Sequence, residues 1–333
     1  MAFTFNKANK SLDKLPFKDR LKAVGALIKN TFSVIGRDDD IIKPWIRMAI
    51  YNFLMVSFFF YSVTGNWYEL PMEGWAFFFA FLMFLYKHFY HNKQEVRLSW
   101  TVNQTIIGED PSYKSATADS KQVKSQIRKL AWLDIGMALM NKGKYIGKGI
   151  VQMIMNLIIA GMEEVWDLVN HYLLPSVAID KLEIGDGVKK MKVLKDQVPE
   201  ALVGVFGIDF MGKLVGRIMV PIYTVLILVA AALCYFGTDY LPTSEIDVGG
   251  SPATITWVPM VIAIYLGKLF SNLFERTVTA VKVVYFTIFY TKITHPESIM
   301  EELQEELTNY LKLDQVEAVD NLDKQESVEV EAV

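Results

Sequence analysis

Residues 150–172 read IVQMIMNLIIAGMEEVWDLVNHY. The stretch is about as long as the roughly 20 helical residues that cross a hydrocarbon core. Yet Glu163, Glu164, Asp167 and His171 lie in its second half. Whether this stretch crosses a bilayer decides the topology of everything after it. Lys142, Lys144 and Lys148 precede it, and Lys181, Lys189, Lys190, Lys192 and Lys195 follow. Lys and Arg concentrate on the cytosolic side of membrane proteins. Both flanks therefore read as cytosolic, and an even number of crossings is favoured, zero being the simplest. Helical spacing agrees. Ile150, Met153, Ile154, Leu157, Ile158, Gly161, Met162, Val165, Trp166 and Val169 form one apolar stripe, with the acidic residues and His171 on the other side. A carboxylate at mid-bilayer costs about 3 kcal/mol on insertion scales, so an interfacial or shallow re-entrant helix ending at Pro175 is expected.

The surrounding sequence supports a membrane context. Of 333 residues, 52% are hydrophobic, including 21 Phe and 15 Met, and the mean hydropathy is +0.24. This is too apolar for a soluble protein of this size, but its 21% charged residues exceed what spans alone would carry. The single cysteine, Cys234, excludes a disulfide framework.

Four apolar runs read as spans, arranged as two hairpins. Residues 45–63 and 74–91 form the first pair, joined by TGNWYELPME, which is acidic and has no Lys or Arg. Residues 218–236 and 257–274 form the second, joined by a loop over 237–256 that carries Asp239, Glu245 and Asp247 and no basic residue. The positive-inside rule places both loops outside. After Glu275 and Arg276 the apolar pattern resumes to Tyr290. The whole stretch from 257 would measure about 54 Å as one helix, so its second half is expected to extend below or along the inner face. Gly212 and Gly216 form a small-xxx-small pair that permits close helix packing.

The remaining segments are polar or amphipathic. Residues 12–35 form a basic amphipathic helix of the kind that lies on anionic lipid. The first 43 residues show no apolar core with a small-residue cleavage site, so they are expected to stay in the cytosol. Residues 120–140 read as a helix with Val123, Ile127, Leu130 and Met137 on one face and Lys121, Lys124, Arg128 and Lys129 on another. Residues 296–312 read as an acidic helix carrying Glu301, Glu302 and Glu305, with an apolar stripe of Ile299, Leu303, Leu307 and Leu311. Thr294 with Glu297 resembles its capping box. The two oppositely charged helices are expected to dock, within a subunit or between neighbours. The final residues are acidic and aromatic-poor, a composition that favours disorder.

Candidate chemistry is sparse. Glu163, Glu164, Asp167 and His171 have spacings that put carboxylates and an imidazole on one helical face, as a metal or proton site would need. There is no HExxH and no Glu-x-x-His, so a solvated contact face is the preferred reading. GKYIGKG at 143–149 is one residue short of a phosphate loop and ends in Gly where Ser or Thr should stand. His88 and His91, with Tyr86 and Tyr90, fit an interfacial belt. No cofactor is implied, and the basic patches sit in a membrane setting rather than a nucleic-acid one.

A further set of short motifs occurs in fixed order: RDDD (37–40), GEDPSYKSA (108–116), Leu130-Ala131-Trp132, LLPSVAID (173–180), EALVGVFGI (200–208) and VVYFTIFYTKIT (283–294). Over residues 20–294 the chain resembles a family of prokaryotic integral membrane proteins known only as a domain of unknown function. It departs from that family in a Lys-rich, longer linker after LLPSVAID and in the acidity of 150–172. The resemblance implies architecture and no chemistry.

The expected protein is thus an all-α, polytopic membrane protein. A basic amphipathic segment (1–43) leads into a transmembrane hairpin (44–92) and a cytosolic helical segment (93–147). Interfacial or re-entrant helices follow (148–214), then a second hairpin with an inner extension (215–293) and an acidic C-terminal helix and tail (294–333). Both termini would be cytoplasmic, in the inner membrane. The leading function is a non-enzymatic, homo-oligomeric scaffold or membrane organiser contacting anionic lipids. The alternative is a channel or small-solute transporter, for which Lys213, Arg217, Glu275, Arg276 and Lys282 near apolar segments would speak. A metal-dependent enzyme built on 163–171 comes third.

Overall fold

The computed structural model describes residues 34–140, 173–193, 198–248 and 251–304. The stretch 150–172, with Glu163, Glu164, Asp167 and His171, lies outside these residues, as do the N-terminal amphipathic segment up to 33 and Glu305.

The described chain is mostly helical. A 3-10 turn at Asp39–Ile41 leads into α1 (Ile42–Tyr68), then α2 (Glu73–Ile106), α3 (Tyr113–Asp119) and α4 (Lys124–Met140). After a helical turn at 173–178 come α5 (Ile184–Val193) and α6 (Val198–Phe236). Strands β1 (Ser244–Val248) and β2 (Ser251–Ile255) precede α7 (Val258–Thr294) and a 3-10 turn at Pro296–Ser298. The loop expected over 237–256 therefore carries an antiparallel hairpin, with Val248 opposite Ser251 and Ser244 opposite Ile255. The sequence between the strands is Gly-Gly, which suits a two-residue hairpin connection, and Ile246, Val248, Thr254 and Ile255 are β-branched. The all-α expectation is corrected to that extent.

The chain divides into two compact units. The body comprises Met1–Trp45, His91–Phe210 and Thr279–Val333; the hairpin unit comprises Ile46–Tyr90 and Met211–Val278. Helices α1, α2, α6 and α7 are each continuous in sequence across these divisions.

In the hairpin unit large apolar side chains point outward. Phe53, Phe59, Trp75, Phe77, Phe81, Phe84, Val225, Leu228, Ile262 and Phe270 are exposed, while small residues such as Ala76, Ala80, Ala230 and Ala263 are buried. A solvated surface would invert that order. The α1–α2 turn is tight. Gly65 lies so close to α2 that a Cβ would stand 2.6 Å from Glu73 Cβ. Glu69 and Met72 turn the chain with positive φ, and Leu70 N–H donates to Gly65 O at 2.9 Å. Three helices are long and apolar enough to cross a membrane, over Asp39–Asn66, Met219–Phe236 and Val258–Thr294. Helix α2 is not among them. Its apolar run gives way to Tyr86, Lys87, His88, Tyr90 and His91.

The body has the opposite character. Val96, Leu98, Val102 and Ile106 of α2, Ile127, Leu130 and Ala131 of α4, and residues 283–286 and 288–290 of α7 are buried. Residues 280–291 of α7 are buried on every side of the helix, which explains why its apolar pattern continues past Glu275 and Arg276 without an amphipathic period. Met137 lies where its side chain is not described, but Val123, Ile127 and Leu130 form the buried face read from the sequence. His91 is buried rather than placed in an interfacial belt.

The C-terminal approach also differs from expectation. Thr294 does not cap a following helix; its hydroxyl donates back to Tyr290 O at 2.8 Å as part of α7. A new helical turn begins at residue 301. Ile299 and Leu303 are buried, and Met300 N–H donates to Ile106 O at 3.2 Å. Gly108 makes room for this segment. Its φ is +87°, and a Cβ would meet Met300 Sδ at 2.8 Å.

Candidate functional site: a polar frame centred on Asp180

The body holds its chemistry in a connected polar frame. Its centre is the motif LLPSVAID. Leu173, Leu174, Val177 and Ala178 are buried and fix the helical turn 173–178. Ser176 Oγ donates to Leu173 O at 2.8 Å, and Ile179 N–H donates to Pro175 O at 2.8 Å. Lys181 then adopts a left-handed φ of 57°, which ends the turn. Such a conformation is uncommon for a residue with a side chain.

That geometry presents Asp180 to three partners. Its Oδ2 accepts from Lys190 Nζ on α5 and from the Tyr290 hydroxyl on α7. Its Oδ1 lies 2.7 Å from His295 Nε2. Lys190 Nζ also donates to the Tyr290 hydroxyl at 3.0 Å and lies 5.0 Å from the Tyr290 ring centroid. Tyr290 is fully buried, whereas Lys190 and His295 are about one-third exposed. Burial works to raise the Asp180 carboxyl, but hydrogen bonds from Lys190, Tyr290 and His295, with the Lys190 charge, outweigh it. They hold Asp180 below the ordinary carboxylate value. The neighbouring Lys181 Nζ pairs with Asp119 at the end of α3 and donates to Ala178 O at 2.6 Å.

The α5 backbone comes close to this motif at Gly187. A Cβ there would stand 2.7 Å from Ser176 Oγ and 2.9 Å from Leu173 Cδ2. Glycine at 187 thus lets α5 approach and carry Lys190 to Asp180.

The frame continues along α2. Thr287 Oγ1 and Ser99 Oγ are hydrogen-bonded at 2.7 Å, and Thr291 Oγ1 donates to Asn103 Oδ1 at 2.9 Å. Both pairs advance by four residues in the same direction, so these parts of α2 and α7 run side by side and parallel. Arg97, also on α2, is buried. It donates from Nε to Ser120 Oγ at 3.2 Å and from a terminal nitrogen to the Tyr113 hydroxyl. Tyr113 in turn donates to Gln94 Oε1 at 3.0 Å.

The RDDD motif joins at this point. Asp40 accepts from Tyr113 N–H at 2.8 Å. Asp38 caps the 3-10 turn by accepting from Asp40 N–H at 2.7 Å, and accepts from Thr105 Oγ1 at 3.3 Å. Burial raises the Asp38 carboxyl above its ordinary value; the Thr105 hydrogen bond opposes this. Ser112 and Ser115 form a reciprocal capping box at the start of α3.

This arrangement clasps chain segments together. Asp180 ties the 173–181 segment to α5 and α7 through donors that occupy both of its oxygens. Among the described residues, no three His, Cys, Asp or Glu side chains come together as a metal site.

Of the residues singled out from sequence, Lys121, Lys124, Arg128 and Lys129 lie exposed on or just before α4, and Glu301 and Glu302 are exposed after Met300. Gly216 faces open space within the chain, and Gly212 lies in α6. Asp180, Lys190, Tyr290, His295 and Arg97 were missed as an ensemble, although Asp180 and Tyr290 stand inside two quoted motifs. No protein-family model, curated protein or solved structure matches this chain.

Proposed function

We propose that this chain is a non-enzymatic, homo-oligomeric protein of the inner (cytoplasmic) membrane that scaffolds or organises it. It would cross four times, with both termini in the cytosol and anionic lipids as partners. The observation that carries the reading is the inversion between units: large apolar side chains outward in the hairpin unit, a hydrogen-bonded polar frame inside the body. Lipid is the solvent that suits the first arrangement. The fourth span is the N-terminal part of α2, where Trp75, Phe77, Phe78, Phe79, Phe81, Phe84 and Leu85 are exposed. A scaffold needs rigid, mutually braced segments, which the clasp around Asp180 supplies.

Topology is tested by cysteine accessibility in a Cys234→Ser background. Leu70→Cys should label only from outside intact spheroplasts, and Glu109→Cys only after lysis. Light scattering of the purified full-length protein should return a discrete oligomer. A monomer at every concentration would remove the scaffold.

One observation favours the second reading, a channel or small-solute transporter. Arg276 is buried in the hairpin unit and paired with Glu275 within the span-length helix α7. Ionisable groups in such segments often face a solute path. Solute release from proteoliposomes above that of protein-free vesicles, lost in Glu275→Gln, would establish it over scaffolding.

A further inference from the structure

Helix α4 has a second face that the polar frame does not use. Val123, Ile127, Leu130, Ala131 and Leu133 are buried on or beside α4. On the other side Lys124, Arg128 and Trp132 recur every four residues, with Lys121 and Lys129 alongside. Trp132 is 55% exposed, and it is the one large apolar side chain among the described exposed residues that belongs to the body. Every other lies in the hairpin unit. Lys121, Lys124, Arg128 and Lys129 have no ion pair among the described residues; Glu301 and Glu302, exposed in the same unit, do not reach them. Nearby Lys93 reports the excess of positive charge. Burial first, then Arg97, Lys124 and Lys121, hold its ammonium below the ordinary lysine value.

An exposed tryptophan set among lysines and arginines matches a specific environment. Indole rings favour the headgroup level of a bilayer. Each nearby Lys or Arg gains about 1 kcal/mol at an anionic surface. The body is also tethered to the bilayer by α2, which runs unbroken from the exposed aromatic residues into Val96 and Leu98. We propose that the α4 face formed by Lys121, Lys124, Arg128, Lys129 and Trp132 docks on anionic phospholipid headgroups of the membrane that holds the protein. This rests on the membrane reading above and names the residues that would contact its anionic lipids. Trp132 enters the headgroup layer, and the four cations select phosphodiester-rich, negatively charged lipid.

The test uses full-length protein in nanodiscs of phosphatidylcholine alone or mixed with phosphatidylglycerol, with lipids brominated near the headgroup. The Trp132 signal is the difference between wild type and Trp132→Phe. That signal should be quenched by brominated lipid, more strongly in the anionic discs. Neutralising Lys124, Arg128 and Lys129 to Gln should lower the preference for anionic lipid about fivefold per cation, and raised salt should lower it likewise. A Trp132 signal with water-like emission and no quenching in either disc overturns the proposal while leaving disc insertion intact. Failure to enter discs at all overturns the membrane reading instead. A Trp132 signal shielded from lipid, and exposed to water on neutralising Glu163, Glu164 and Asp167 or Glu301 and Glu302, makes an acidic segment the occupant and likewise overturns the proposal.

Discussion

Helix α7 contains two phenylalanines sixteen residues apart that live in opposite surroundings. Phe270 is 53% exposed in the hairpin unit, and Phe286 is fully buried in the body. The helix is continuous and apolar through both, so neither propensity nor hydropathy separates them. What separates them is the medium. Around Phe286 the protein supplies Tyr285, Phe289 and other buried side chains; around Phe270 it supplies little, which is the place the proposed membrane reading gives to lipid. Polar pairs link helices in both units, as Ser57 and Tyr265 do at 2.8 Å in the hairpin unit. In the body, Ser99 and Asn103 of α2 pair with Thr287 and Thr291 of α7. In the hairpin unit Thr224 and Thr277 turn back to carbonyls of their own helix, at 2.9 Å each.

The largest effect should come from breaking that comparison directly. Phe286→Ala removes a ring from a fully enclosed site and should destabilise the body by about 3–5 kcal/mol. Phe270→Ala should change stability in detergent by less than about 1 kcal/mol, since its ring loses lipid or detergent contacts that others replace. Thermal melts of the two variants in one detergent measure this. Equal losses would show that α7 is packed in protein along its whole length and that the exposed apolar belt is covered by something other than lipid.

Next in size is the clasp. Asp180→Asn removes the charge that Lys190 and Tyr290 address and should cost about 2–3 kcal/mol. The pH dependence carries a sign. The folded Asp180 carboxyl lies below its ordinary value, so its stabilisation is complete above the ordinary carboxylate range, about pH 4. It is lost as pH falls through the folded value. Wild type should therefore lose stability on acidification below about pH 4 more steeply than Asp180→Asn. Identical acid limbs would mean that Asp180 is not held as a buried, hydrogen-bonded anion.

Close approach comes third. Gly187→Ala would place a methyl against Ser176 Oγ and Leu173 Cδ2. The Leu173 side chain can yield in part, but Ser176 Oγ is held by its bond to Leu173 O. A loss of about 1–3 kcal/mol is expected in the same melts. The companion Gly185→Ala, where a Cβ meets nothing within 4 Å, should be neutral or slightly stabilising. If Gly187→Ala is equally benign, α5 is not wedged against the 173–178 turn.

These two regions also differ in how far the sequence discloses them. The apolar runs at 45–63, 218–236 and 257–274 are local signals, because length and hydropathy of one continuous segment mark a helix able to cross a membrane without reference to the rest of the chain. The buried face of α4 is local too, as Val123, Ile127 and Leu130 share a helical period. The frame in the body is not local. Asp180 meets Tyr290 and His295 across 110 and 115 residues, and Ser99 meets Thr287 across 188. No spacing rule links such pairs, and isolated Ser, Thr and Asn residues read as ordinary helix surface. The strand pair in the 237–256 loop was obscured for another reason: its acidic composition signalled side and solvent, while the Gly249-Gly250 step carried the hairpin signal.

The smallest effect tests the frame at its most hidden point. Thr287→Ala leaves the buried Ser99 hydroxyl without its α7 partner and should cost about 1–2 kcal/mol, the usual penalty for one orphaned neutral group. Ser99→Ala should cost less, because Thr287 keeps its bond to Val283 O at 2.7 Å. The double variant removes both polar groups at once. It should be less destabilised than the sum of the single variants, with a coupling of about 0.5–1 kcal/mol. The control is Thr277→Ala in the hairpin unit, where the hydroxyl serves only its own helix; it should move the melt by less than about 0.5 kcal/mol. Strict additivity between Ser99 and Thr287 would mean that α2 and α7 are not joined through this pair. The polar interior of the body would then be a row of independently satisfied helices rather than a frame.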